Sequence, residues 1–158
     1  MNVDPKTVHR VRIMNVKSQR YLSIEGDNSN WNNDDASLTI RDWLNLPVLQ
    51  SPQVWNIVQT PQGHWLLLNQ YTCKLVACIR GRSNDNGATV IQYHTQVIEE
   101  PFQQWDFVKK NDNYLIQNVN SKKYIGPHGR TTSNDEYCIQ YVNQTAEDTY
   151  QLWTFEEI

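Results

Sequence analysis

Apolar positions along the chain fall in short runs, and no stretch sustains the 3.6-residue spacing that one buried helix face requires. Clusters of Gly, Asn, Asp and Pro interrupt these runs at intervals of roughly 8 to 15 residues, the punctuation of short strands joined by turns. The pattern predicts an all-β chain. It excludes a membrane-spanning helix, because no apolar run approaches the roughly 20 residues needed to cross a bilayer core.

One short unit occurs three times within this pattern: Gln53-Val-Trp55-Asn-Ile57, Gln103-Gln-Trp105-Asp-Phe107 and Gln151-Leu-Trp153-Thr-Phe155, at tryptophan spacings of 50 and 48. With 6 Trp and 14 Gln in 158 residues, chance places only about 0.5 Gln two positions before a Trp, so three at near-constant spacing have a structural cause. On a strand, alternate side chains share a face. The Trp and the apolar residue two places on are therefore read as core, and the Gln as a carboxamide that bonds backbone in the adjacent turn and pins the loop before the strand. Another aromatic stands twelve residues before each motif tryptophan: Trp43, Tyr93 and Tyr141. Further upstream Asn15, Asn69 and Asn118 align, each followed six residues later by Tyr21, Leu75 or Tyr124. The chain divides into three repeats, 8–60, 61–110 and 111–158, forming a single domain over 1–158. Repeat one is the longest, its surplus lying in the polar loop from Gly26 to Asp35.

Three Gln-x-Trp motifs in three repeats of about 50 residues resemble the ricin B-type β-trefoil lectin family across essentially the whole chain. The resemblance implies a β-trefoil: a six-stranded barrel closed at one end by three hairpins, with pseudo-threefold symmetry and up to three sugar pockets. It also implies that the stacking ring of each pocket is the aromatic twelve before the motif tryptophan, here Trp43, Tyr93 and Tyr141. The family's principal acid falls two residues after the Tyr21, Leu75 and Tyr124 column, where this chain has Ser23, Ala77 and Gly126. The Asn that the family sets directly before the motif Gln is replaced by Pro52, Phe102 and Tyr150. Sugar binding must therefore recruit neighbouring groups. In repeat one those are Glu25, Asp27 and Asn45 beside Trp43 and Ser23, which makes this the best-furnished pocket. Repeat three ranks second: Gly126-Pro-His-Gly129 partly resembles the His-Pro-x-Gly-Gly turn of mussel-type trefoil lectins, with His128 and Asn143 near Tyr141. Repeat two ranks last, offering Tyr93, Arg80 and His94 but no evident acceptor for a hydroxyl pair.

Composition sharpens this reading. The chain holds 17 Asn and 14 Gln, with 6 Trp and 8 Tyr against 3 Phe, a stock of flat rings with polar tips and of neutral hydrogen-bonding groups suited to hydroxyl-rich ligands. A formal net charge of -3 and only two basic doublets, Lys109-Lys110 and Lys122-Lys123, argue against a nucleic-acid partner. Cys73, Cys78 and Cys138 match neither a metal site nor a paired disulfide framework and are read as reduced, Cys138 in the core. The scattered histidines and the Asp27–Asp35 loop lack metal-ligand spacing, and no nucleophile motif is present, so neither metal, cofactor nor catalysis is expected. The first ten residues carry no apolar signal segment, which places the chain in the cytoplasm or among proteins secreted without a signal peptide. The function expected is a non-catalytic lectin that takes glycans in shallow pockets, without membrane insertion, gaining avidity from several sites or a homodimer. A rival reading is a protease inhibitor or other protein-binding trefoil presenting the enlarged loop of repeat one, and a third is a targeting domain acting with a partner chain.

Overall fold

The structure is a computed structural model and describes residues 2–95, 100–142 and 148–158. Among the described residues twelve strands follow the turn signals, four per repeat. Repeat one contributes β1 (Arg10–Asn15), β2 (Tyr21–Ile24), β3 (Leu38–Arg41) and β4 (Trp55–Gln59). Repeat two contributes β5 (Trp65–Asn69), β6 (Leu75–Ile79), β7 (Val90–His94) and β8 (Trp105–Lys110). Repeat three contributes β9 (Asn113–Asn118), β10 (Tyr124–Pro127), β11 (Glu136–Tyr141) and β12 (Trp153–Glu157). β1 alternates half-buried and buried positions strictly, the signature of a strand with one face on a core.

Strands one and four of each repeat form the barrel. β1 pairs with β4, β4 with β5, β5 with β8, β8 with β9, β9 with β12, and β12 returns to β1, all antiparallel. The hairpins β2–β3, β6–β7 and β10–β11 cover one end and touch one another through β11–β3 pairing and the bridges Ser37–Ile91 and Thr89–Ile139. This is the architecture that the sequence resemblance implied.

The three motif tryptophans are fully buried, and Ile57, Phe107 and Phe155 lie beside them in the core. Each indole N–H donates to a carbonyl on the second strand of its repeat: Trp55 to Leu22 O at 3.0 Å, Trp105 to Ala77 O at 3.0 Å and Trp153 to Ile125 O at 3.1 Å. The bond satisfies the one polar atom of each large ring and ties hairpin to barrel. The motif glutamines differ from the sequence reading in place. Gln103 and Gln151 end single-turn helices at Pro101–Gln103 and Thr149–Gln151, and Gln53 precedes β4, so all three stand in the turn and not on the strand face. They do bond backbone, at the end of the third strand: Gln53 Nε2 donates to Asp42 O, Gln103 Nε2 to His94 O and Gln151 Nε2 to Tyr141 O.

Much of the carboxamide surplus belongs to this frame. Asn15, Asn69 and Asn118 are fully buried and donate to the carbonyls of Tyr150, Pro52 and Phe102, each directly before a motif Gln. Gln92 reaches down to Trp31 O and Asn33 O, and Gln140 to Ser83 O and Asp85 O, so each clamps the hairpin loop of the preceding repeat. At the hairpin tips Asp34, Asn86 and Asn134 accept from the backbone N–H of His94, Val142 and Asp42, which passes the contact around all three repeats.

Strand pairing corrects two columns. Met14 faces Tyr21 and Gln117 faces Tyr124, but Leu68 faces Val76, because the β5–β6 turn holds one residue more. The residue equivalent to Ser23 and Gly126 is therefore Cys78 and not Ala77. Tyr21 pairs with Arg41, Val76 with Tyr93 and Tyr124 with Tyr141. Arg41, and not Trp43, is therefore the counterpart of Tyr93 and Tyr141. The cause is the longer connection in repeat one, which runs 14 residues from Arg41 to Trp55 against 12 in the other repeats.

Candidate functional site

Each hairpin ends its second strand in the same way, with a glycine of left-handed backbone: Gly26 at φ 75°, Gly81 at φ 67° and Gly129 at φ 70°. An L side chain is strained there, and the turn swings the following residue over the flank of the hairpin. That residue is Asp27 in repeat one, Arg82 in repeat two and Arg130 in repeat three. Beneath the last two lies an acid that opens the single-turn helix before the motif Gln. Arg82 pairs with Glu100 and Arg130 with Asp148, and the guanidinium carbons also stand 5.6 Å and 5.2 Å from the ring centroids of Phe102 and Tyr150. Repeats two and three thus hold the same four-part arrangement of arginine, buried acid, supporting ring and Tyr93 or Tyr141.

In repeat two the arrangement encloses a cleft of about 330 Å³, lined by Asp35, Cys78, Tyr93, Glu100 and Phe102 among others. A cleft of this size holds a small polar ligand. Tyr93 is half-buried, its ring lying 4.2 Å from that of His94 at an angle of 32°. Glu100 is 6% exposed; one oxygen takes Arg82 and the other, Oε1, is buried without a hydrogen-bond partner. An unsatisfied buried carboxylate oxygen is costly, and a donor brought by a ligand would satisfy it. Burial pushes the Cys78 thiol up to about 12, aided by the negative charges of Asp35, Asp34 and Glu100. A thiol-selective reagent at neutral pH is expected to modify exposed Cys73 quickly and buried Cys78 and Cys138 only on unfolding. A second thiol reacting as fast as Cys73 in the native protein would contradict this placement.

Repeat three is closed where repeat two is open. Tyr141 is 8% exposed, its ring lying over Gly126, so that a Cβ there would stand 2.6 Å from the phenol oxygen. Burial, with the negative charge of Asp148, raises the Tyr141 phenol above its ordinary range, and its oxygen has no hydrogen-bond partner. Gly126 and Tyr141 are brought together but buried. His128 is displaced to the surface, stacking on Tyr137 at 4.5 Å with Glu136 at 3.8 Å. Asn143 lies outside the described residues.

The residues predicted for repeat one separate. Ser23 is fully buried and its hydroxyl donates to Ile24 O at 3.1 Å, so it offers a ligand nothing. Trp43 packs edge-on against Tyr21 at 5.1 Å and carries the Arg12 guanidinium 4.9 Å from its ring, while Arg12 pairs with Glu156. Asp27 and Asn45 do share an open cleft of about 460 Å³, with Trp31, Arg41 and Asp135 in its walls. Asp27 is already engaged: its carboxylate accepts from the Ser29 hydroxyl and backbone N–H, which holds it below the usual carboxylate range. Arg41 spans from Gly26 O to Asp135 and fills the place where the other repeats carry a tyrosine. Glu25 is half-buried on the rising side of the hairpin turn. Among the described residues no three His, Cys, Asp or Glu side chains gather as metal ligands.

Sequence reading missed Glu100 and Asp148. Their signal was present as an acid, any residue, an aromatic and then the motif Gln: Glu100-Pro-Phe-Gln103 and Asp148-Thr-Tyr-Gln151.

A barrel of six strands closed at one end by three hairpins defines a β-trefoil. The chain belongs to the ricin-type β-trefoil lectin domain-like family, which matches residues 2–93 and 101–158. Solved structures agree on the fold. A designed threefold-symmetric protein, ThreeFoil, superposes at TM-score 0.81 with 23% identity, covering 94% of this chain and 99% of its own. The Rhizoctonia solani agglutinin superposes at 0.79 with 14% identity, covering 100% and 99%. The Macrolepiota procera ricin B-like lectin, solved with lactose, superposes at 0.76 with 14% identity, covering 100% of both chains. Comparison with curated protein sequences gives no match. At the level of the family the function is carbohydrate binding.

Proposed function

We propose that this protein binds glycans without chemically altering them, and that its working pocket is the cleft of repeat two. The observation that carries the proposal is the buried carboxylate of Glu100, fixed by Arg82 and holding one oxygen without a partner beside the half-exposed ring of Tyr93. A sugar brings what this pair lacks: hydroxyl donors for the oxygen and a C–H face for the ring. Glu100 takes over the duty of the acid missing from the second strand, approaching the ligand from the opposite wall. The protease-inhibitor reading draws on the loss of the acid in every repeat together with the enlarged loop of repeat one, and Glu100 answers the first of these two motives.

Lactose, the ligand of the Macrolepiota procera lectin, is a rational first probe, followed by a glycan array. Tyr93→Ala is expected to weaken glycan binding at least tenfold, equivalent to about 1.4 kcal/mol, while Trp43→Ala leaves it within twofold. Binding unchanged in Tyr93→Ala, or lost in Trp43→Ala alone, would overturn the assignment to repeat two.

A further inference from the structure

We infer that repeat three carries a second, latent copy of the same pocket, held shut by its own Tyr141. The inference rests on the glycan-site reading for what the pocket takes, but the closure is argued from geometry alone. Arg130, Asp148, Tyr150 and Tyr141 stand in the places of Arg82, Glu100, Phe102 and Tyr93. The difference between the two repeats is local. Cys78 faces Ile91 across its hairpin and Gly126 faces Ile139, and in each case the tyrosine sits two residues beyond that partner, diagonal on the same face.

In repeat two the Cys78 side chain occupies the floor, and Tyr93 stays half-exposed. In repeat three there is no side chain at that place, and the Tyr141 ring settles onto the bare backbone of Gly126. A second observation marks the closed arrangement as one that can open. The Tyr141 oxygen is buried with no partner, so the ring gives up its hydrogen bonds to water in order to lie there. A ring swung outward regains them and uncovers Asp148 and Arg130 for a ligand. Because closed and open states compete, a ligand at this pocket binds with its affinity reduced by the open fraction. Gly126 therefore sets the number of working sites.

The test is a titration of isotope-labelled protein with lactose, followed by amide chemical shifts. Wild type is expected to respond around Cys78–Gly81 and Tyr93. Gly126→Ser, which installs the residue that repeat one carries at this place, is expected to add a second responding set around Ile125–Gly129 and Tyr141. In parallel, Tyr141→Phe is expected to raise the thermal midpoint, because it removes the unsatisfied oxygen and keeps the ring. Response at repeat two in both proteins with none at repeat three in folded Gly126→Ser overturns the latent pocket alone. Absence of any response in wild type and in folded Gly126→Ser alike overturns the glycan-site reading for lactose. A midpoint of Tyr141→Phe that stays level or falls overturns the closure argument, even where Gly126→Ser fails to fold.

Discussion

Trp105→Ala is expected to lose about 3–5 kcal/mol of folding stability, the cost of deleting a fully buried indole. Against the 5–15 kcal/mol that holds an ordinary domain, this places the variant near or beyond its unfolding limit at 37 °C. Two effects add. The ring leaves a cavity in the core, and its N–H no longer meets Ala77 O on β6, the strand that leads into the repeat-two cleft. The loss should therefore appear first as a cooperative drop in the urea midpoint and, where folded protein remains, as weakened glycan binding. A variant within about 1 kcal/mol of wild type would contradict the placement of Trp105 in the core.

Arg130→Met is expected to cost about 1–3 kcal/mol. The Asp148 carboxylate is fully buried while Arg130 is 41% exposed, so the variant leaves a desolvated charge with its chief partner gone. Exposure of the arginine keeps the cost below that of breaking a wholly interior pair. One backbone bond, from Tyr150 N to Asp148 Oδ1 at 3.1 Å, survives. The double variant with Asp148→Asn should recover much of the loss, because the neutral amide no longer demands a cation. A denaturant midpoint unaffected by Arg130→Met would mean that the pair contributes nothing in solution.

The fold was legible in the sequence because its cause is periodic. A motif repeated at spacings of 50 and 48 marks three equivalent places, and the tryptophans at those places sit in the core. The site was less legible, for a physical reason that can be read at single residues. Counting back twelve from each motif tryptophan assumes that every connection has one length. Repeat one spends two extra residues between Arg41 and Trp55, which carries Trp43 away to Arg12 and Tyr21 and leaves Arg41 in the tyrosine position. One extra residue before Val76 shifted Ala77 against Cys78 in the same way. Openness is harder still. Nothing in the pair of letters at 126 and 141 says that a ring will lie on a glycine, because that depends on where two strands set their faces. The acids Glu100 and Asp148 are legible once the residues before the motif Gln are aligned, each standing three positions ahead of it.

The pairing of β1 with β12 makes the first and last strands inner parts of the wall. In an open sheet the first and last strands each leave a row of backbone groups unpaired, offering a neighbouring chain a template on which to add, and terminal segments are where unravelling starts. Here β1 is bonded on one side to β12 and on the other to β4, and β12 to β1 and β9, so the first and last strands are each paired on both sides. Val3 N–H donates to Phe155 O at 2.7 Å, extending that grip beyond the strand itself. Among the described residues, a barrel rich in apolar, β-prone segments thereby shows no free edge along its wall on which other copies could stack.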